Sequence, residues 1–433
     1  MTFNSVKLGR VARTISGTGF PPAYQGNGAG EVPFIKVSDL ALEANRAGIM
    51  AANNWVSRSD LKVLGSRVAP AGSIVFPKVG AALLGNARGR LLRPSAMDNN
   101  LMAVVPTSGD SRFWFYALSS IDLSEFSPSG PLPYVTDGQV RDLQIPMPPL
   151  EEQRRIADFL DTETARLDAL LAARSTQRAR HAERHVAAID AFIRGAAKAD
   201  TVAGYEPLRH VPSSWVQTRL GSTDCDIQTG PFGSQLHAED YVADGWPVVN
   251  PASISPEGLR PVPGMSVDDE TRRRLTRHEL ERDDIVFGRR GELGRAGLVR
   301  HENIGWLCGT GSLRLRLGPR GLLPEYLLRF LGIPAIRHYF LRQSVGSTMA
   351  NLNTGILYAM PVLIPPRYEQ TAIIDACRMV EGRFHEIERA VEHQTGLVSE
   401  RRHALITAAV TGQFDVNTAR RNASIQPRMP EHE

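Results

Sequence analysis

The chain has 433 residues, 42% of them hydrophobic, with a formal net charge of +4 and a pI near 9.0, enough for two or three domains with cores of their own. No stretch reaches the roughly 18 apolar residues of a membrane span, and residues 1–7 lack the parts of a signal peptide, so a soluble, cytoplasmic protein is expected. Three scattered cysteines, Cys225, Cys308 and Cys377, support neither a disulfide framework nor a zinc site and read as buried thiols.

In chain order, the first distinctive segment is the glycine-rich loop Ser16–Pro22, whose amides and hydroxyls suit either base edges or simple turn chemistry. Ala71–Gly80 follows as a turn, a short apolar strand and a glycine-punctuated basic loop; from 78 to 93 it carries Lys78, Arg88, Arg90 and Arg93 with no acid among them. Glycine lets the backbone approach a ligand closely, and a neighbouring cation supplies countercharge to phosphate. A DNA-contacting hairpin and an ordinary strand–turn–strand with solvated arginines both fit. Only five of the fifty basic residues are lysine, leaving 45 arginines; the guanidinium fork suits phosphate and guanine, but a GC-rich genome produces the same bias.

The segment Pro133–Gln153 closes this first part with Pro148, Pro149, Glu152 and Gln153, and then a charged helical stretch begins. Its apolar positions are Ile156, Leu160, Leu167 and Leu170, then Val186, Ile189, Phe192 and Ile193, with a polar middle around Arg174 and His181. A second globular part opens at Val211–Gly221, which includes Pro212 and Trp215. It has its own polar glycine-rich loop, with Gln228, Ser234 and Gln235 as candidate base readers. Arg282–Gly291 aligns with Ala71–Gly80, and its basic loop carries Arg289, Arg290 and Arg295.

The most informative feature comes next. Residues 350–370 repeat residues 133–153 at an offset of 217, ending in Pro365, Pro366, Glu369 and Gln370, and the offset holds through Gly195 and Gly412. The chain is a tandem duplication of one unit, a globular part plus a long helix. In the second helix Ile373, Cys377, Val380, Phe384, Ile387, Val391 and Val398 form a 4-3-4-3 seam broken only at Gln394, which needs a partner helix. The nearest candidate is the other copy, paired antiparallel about a pseudo-twofold axis; two independent surface helices are the other reading. Because the junctions and helices are shared best between copies, they are the expected docking surface for identical partners, while the differing interiors predict two different half-sites.

These residues resemble the specificity subunit of type I restriction-modification systems. The resemblance covers the chain from Val6 to about Phe414 and rests on the Pro-Pro-x-x-Glu-Gln exits, the Pro-x-x-Trp opening at Pro212–Trp215 and the Ile-Val-Phe hairpin in both copies. Two departures stand out: the first part lacks the opening tryptophan, and the second exit has Arg367 and Tyr368 in place of Leu150 and Glu151. The resemblance implies an α+β protein with two target-recognition domains, at 1–149 and 199–366, and two conserved helices, at 150–198 and 367–415. Residues 416–433 are expected to be a disordered tail. It implies a non-catalytic reader of a bipartite, asymmetric duplex DNA target. Two methyltransferase subunits would use S-adenosylmethionine to methylate adenine N6, joined where present by two restriction and translocase subunits using ATP and Mg.

Catalytic motifs do not contradict this. Asn250-Pro251 lacks the second proline and aromatic residue of an adenine methyltransferase motif, and in His181–His185 the glutamate is one place late for a zinc-peptidase helix. The chain contains no Gly-Lys pair and hence no phosphate-binding P-loop, Asp60 and Lys62 have no catalytic acid upstream, and Asp268–Arg274 reads as a charge-compensated surface helix. A coiled-coil scaffold whose two globular parts bind protein is the alternative, and a standalone enzyme with an unfamiliar site is the weakest reading.

Overall fold

The computed structural model describes residues 3–128, 130–195, 201–202, 208, 210–232, 235–255, 258–344 and 351–416. It divides into two compact units, residues 1–175 with 392–433, and residues 176–391. The last of the expected tail residues, 417–433, lie outside the described residues, but Val416 is buried in the first unit's core, so order extends at least to that position.

Each unit is built on the same strand plan. In the first, Ala12–Ser16, Leu101–Pro106, Ile74–Pro77 and Gly89–Arg90 form an antiparallel sheet in that order, and Val32–Ile35 sits between Trp55–Val56 (antiparallel) and Ala96–Met97 (parallel). In the second, the matching sheet runs Cys225–Thr229, Ser312–Leu317, Ile285–Gly288, Ala296–Leu298, and Trp246–Val249 pairs parallel with Leu307–Cys308. A two-stranded ribbon closes each unit, Ser5–Lys7 with Gln144–Pro146 and Val216–Arg219 with Pro361–Ile364. The aromatic cores follow from this, with Phe76, Phe113 and Trp114 fully buried in one unit and Phe287, Tyr326 and Phe330 in the other.

The glycine-rich loops have a packing reason. A Cβ on Gly17 would lie 1.9 Å from the Asp98 carbonyl oxygen, and one on Gly230 would lie 1.8 Å from that of Gly309, so the strand end can cross there only without a side chain. The missing opening tryptophan also has a stand-in. Trp215 is buried against Gly195 and donates its indole N–H to Glu369 at 3.2 Å. At the equivalent position Phe3 packs on the first core, and its backbone N–H reaches the Thr411 carbonyl at 3.3 Å.

The long helices are Leu150–Ile193 and Arg367–Thr411, 44 and 45 residues, or about 66 Å each at 1.5 Å per residue. They stop a few residues short of the expected 198 and 415 because Gly195 and Gly412 take left-handed backbone conformations, φ 63° and 76°, which terminate a helix. Their pairing is antiparallel. Within the first unit Ile156 and Leu160 share a core with Ile406, Ala409 and Val410, and Arg402 bonds Asp168 at 3.0 Å. Within the second, Arg178 bonds Glu388 at 2.6 Å, the His185 ring stacks on Phe384 with centroids 4.3 Å apart, and Ile193 joins Ile373, Ile374 and Cys377. The seam of the second helix is as expected, with Cys377 and Val391 buried, but that of the first is not. Leu170, Val186 and Phe192 point outward, 41%, 48% and 40% exposed, because antiparallel packing uses a different face along this stretch.

The Pro-Pro-x-x-Glu-Gln junctions face inward more than outward. Gln153 accepts from the Asp110 N–H at 3.0 Å and donates to the Pro148 carbonyl at 2.9 Å. Gln370 does the same with the Leu323 N–H (2.7 Å) and Pro365 carbonyl (2.9 Å), and also reaches the Gly321 carbonyl at 2.8 Å. Both amides are buried, as are Pro148, Pro365 and Glu369; Glu152 pairs with Arg155 at 2.6 Å, Pro366 is half-buried and Pro149 is exposed. Where partner docking was expected of Gln153 and Gln370, the structure instead shows them fastening the helix start to its own unit.

Among the described residues no helix is long and apolar enough to cross a membrane. Cys308 and Cys377 are buried thiols, their pKa values pushed up to about 12 and about 11 by burial, and Cys225 is partly exposed.

Replacing Gln370 with leucine strips the partners from buried backbone groups and is expected to cost about 3 kcal/mol, read from urea unfolding. His185 gives a pH test. Its pKa is held below the ordinary histidine value, chiefly by loss of solvation, with His385 adding to the effect and Glu381 opposing it. The stability it contributes is therefore complete above the unfolded value of about 6.5 and is lost as pH falls through the folded one. Melting temperature should drop between pH 7.5 and 5, and His185→Phe should flatten that drop.

Candidate nucleic-acid interface

In both units the basic loop springs from the buried apolar strand, Ile74–Pro77 or Ile285–Gly288, and is held by the same backbone bonds. The Lys78 N–H reaches the Asn100 carbonyl at 2.8 Å, and the Arg289 N–H reaches that of Gly311 at 2.9 Å. On the other side the Lys78 carbonyl accepts from Val135 at 2.9 Å, and the Arg289 carbonyl from Leu352 at 2.8 Å. Gly80 and Gly291 follow with φ 80° and 84°, which a glycine accepts without strain. The hairpin inferred from the sequence is thus real in both copies, and in the first its loop includes a short helix, Ala81–Leu84.

The expected contact residues divide sharply. Lys78 and Arg289 sit at the loop base half-exposed, and Arg290 is exposed. The Arg289 guanidinium lies 5.0 Å over the Phe232 ring and donates to the Leu352 carbonyl at 3.3 Å; loss of solvation lowers its pKa, and Arg290 beside it pushes the same way. Arg88 is spent internally. It donates to the Asn86 side chain at 2.6 Å and to the Ala87 and Ile121 carbonyls, stacks over Phe76, and burial lowers its pKa to about 10. Such a cation fastens the loop and is poorly placed to meet a phosphate. Arg90 pairs its backbone with Ile74 and faces a cleft of about 530 Å³ with Arg46, Arg112 and Arg402, where Asp161 and Asp168 dilute the charge. Arg295 is half-buried, with its backbone carbonyl tied to Gly288 at 3.0 Å.

The second set fares differently again. Gln228 lies within 3.4 Å of His278 on a sheet face that also buries Arg314 against Asp226, so it belongs to an internal polar network. Gln235 is exposed and accepts from the Phe232 N–H at 3.1 Å, while Ser234 lies outside the described residues. The network also holds His278 below the ordinary histidine pKa, through burial first and the neighbouring Arg277 and Arg314 next.

The fold gathers residues that no local pattern marked. In the first unit Arg13, Arg67 and Arg141, more than fifty residues apart in sequence, line one polar cleft along the exposed side of Ala12–Ser16. In the second, Arg289 and Arg290 share a cleft of about 560 Å³ with Asn250, Asn351 and the exposed Phe232. Asn250 stands out in the sequence only as part of an incomplete methyltransferase motif. The surface helix expected at Asp268–Arg274 is present as Asp269–Arg274, and Asp268 caps it by accepting from the Thr271 N–H at 2.8 Å.

A model of the type I restriction modification DNA specificity domain matches residues 2–177 and again 237–392, one match for each copy of the repeat. The chain belongs to the type I specificity subunit family. It is 22% identical to the type I restriction enzyme EcoBI specificity subunit of Escherichia coli over 437 residues, which covers 94% of this chain and 85% of that one. It is 25% identical to the EcoKI specificity subunit of Escherichia coli strain K12 over 280 residues, covering 63% and 58%. Among solved structures, a chain from work on complex assembly and conformational transition of the type I R-M system superposes with a TM-score of 0.64 at 18% identity. That superposition covers 95% of this chain and 98% of the other, and shows a common fold.

Among the cations marked in the sequence, Arg290 is exposed and Arg289 half-exposed beside it, so this pair is where DNA contact can be tested. Changing both to alanine should weaken binding and reduce the salt dependence by about one to two phosphate equivalents, measured as log Kd against log salt. An unchanged slope would remove this loop from the interface.

Proposed function

We propose that this specificity subunit reads a bipartite, asymmetric duplex target, one half per compact unit, and directs adenine N6 methylation by two methyltransferase subunits. The observation that carries the reading is the repetition of one backbone frame with different side chains on it. Two copies of one frame suit two half-sites, and different side chains suit different sequences. The protein-scaffold alternative finds no support in the family.

Catalysis is assigned to the partners. S-adenosylmethionine would be bound by the methyltransferase subunits, and ATP with Mg by two restriction and translocase subunits where a system has them.

The long helices supply the proposed docking surface. Tyr368 and Met379 are each 74% exposed, and Leu150, Leu170, Val186 and Leu397 are exposed as well, an unusual run of apolar side chains for helices that face only water. At the junctions the outward residues are Pro149, Leu150, Arg367 and Tyr368, so docking there is proposed for these and for Glu152 and Pro366, with the buried residues beneath them as support.

The deciding experiment co-expresses the chain with its methyltransferase partner and maps N6-methyladenine across the host DNA. One interrupted, asymmetric motif that appears only when this chain is present is the expected result. Methylation whose motif is indifferent to deletion of the chain would overturn the reading.

A further inference from the structure

The two units share a backbone frame at the foot of the basic hairpin, and the residues that project from it can be matched one to one. Asn250 and Lys36 each follow an interior strand, Trp246–Val249 or Val32–Ile35, and each start a short 3₁₀ turn, Pro251–Ser253 or Val37–Ala41. Their carbonyls accept from the N–H three residues on, at 2.8 Å for Ser253 and 3.0 Å for Asp39. The Gly309 N–H reaches the Val249 carbonyl at 3.0 Å, as the Asp98 N–H reaches that of Ile35 at 2.9 Å. Asn351 precedes Leu352 as Tyr134 precedes Val135, beside the two hairpin contacts described above.

On this common frame the side chains differ except for a cation shared at Lys78 and Arg289. The second unit presents Asn250, Arg289, Arg290 and Asn351 where the first presents Lys36, Lys78, Val79 and Tyr134. In the second unit these residues surround the cleft of about 560 Å³, and among the described residues none that lines it is an acid. Phe232 stands at its rim 48% exposed, with the Arg289 guanidinium over its ring. The Asn250 side-chain oxygen accepts from the Gly311 N–H at 3.3 Å, which orients its amide group within the cleft. Two amides, an exposed aromatic ring and two cations without a countering acid form a set suited to nucleobases. Asparagine matches the paired donor and acceptor of adenine, and an apolar side chain packs on the thymine methyl group.

We propose that this cleft is where the second unit reads base edges, with Asn250 and Asn351 recognising adenine of A·T pairs and Phe232 packing against the bases. Arg289 and Arg290 hold the DNA strand beside them. The proposal rests on the DNA-reading function above and adds the residues and the base identity. At the equivalent place in the first unit, Tyr134 and Lys36 take the reading role for the other half-site.

The test uses the full chain assembled with its methyltransferase partner and maps methylated motifs for Asn351→Ala, Asn250→Ala and Phe232→Ala. Each change is expected to make an A·T position degenerate in one half of the motif and leave the other half intact. For the two asparagine changes discrimination at that position should fall about ten- to a hundredfold, the loss of one bidentate contact. Tyr134→Ala should make a position degenerate in the opposite half only. Because Asn250 also holds Gly311, Asn351→Ala is the arbiter if Asn250→Ala fails to accumulate. A motif unchanged in Asn351→Ala, or both halves lost together, would overturn the assignment. If wild-type chain directs no motif at all, the DNA-reading function itself fails, a result distinct from either.

Discussion

A buried glutamine in the first turn of each long helix is the contact on which the architecture turns. Gln153 and Gln370 use both ends of the amide, binding the proline carbonyl at the helix start and a backbone N–H just ahead of an earlier helix of the same unit, Ser111–Ser119 or Pro324–Leu331. An amide donates and accepts at once without bearing charge, so it can be buried at little cost when both ends are bonded. Glycines complete the arrangement, since Gly109 and Gly321 beside the two amides both take φ 101°. The direction in which each helix leaves its sheet is thereby set by hydrogen bonds, and apolar packing then fills in around it.

Those fixed departures let the rest of each unit vary. The hairpin strands Ile74–Pro77 and Ile285–Gly288 are buried along their whole length and anchor the loop from below. Loop conformation is then held by backbone bonds that any residue can make. Side chains on top are released from structural duty at Arg290 and Asn351, and committed to it at Arg88 and Gln228. The same sheet face illustrates how far this freedom goes. It is apolar in the first unit, with Ile15, Val75 and Val105, and carries Gln228, Arg314 and Arg316 in the second.

Much of this was legible in the sequence, and the failures have physical causes. The duplication, the two helices, the hairpin and the family follow from local periodicity and spacing, which survive in any copy that keeps its fold. The helix face was misread at Leu170, Val186 and Phe192, since an apolar residue states a preference for burial without naming which surface supplies it. Arg88 looked like a phosphate ligand because a guanidinium satisfies internal carbonyls with the same donors it would offer to DNA. The fastening role of Gln153 and Gln370 was not legible, because a fold repeats its own fastenings as faithfully as a shared partner would repeat its contacts. Arg13, Arg67 and Arg141 were invisible as a group until chain folding brought them together.

The first unit's core draws on both ends of the chain, with Leu8, Ile156 and Leu160 packed among Ile406, Val410 and Val416, whereas the second unit lies wholly within residues 176–391. During synthesis the amino-terminal sheets emerge early but wait for the last helix turns to cover them. At 5–20 residues per second that delay is about 10–50 s, during which the first unit exposes apolar surface to the cell. The half made second is therefore the one that can finish folding first.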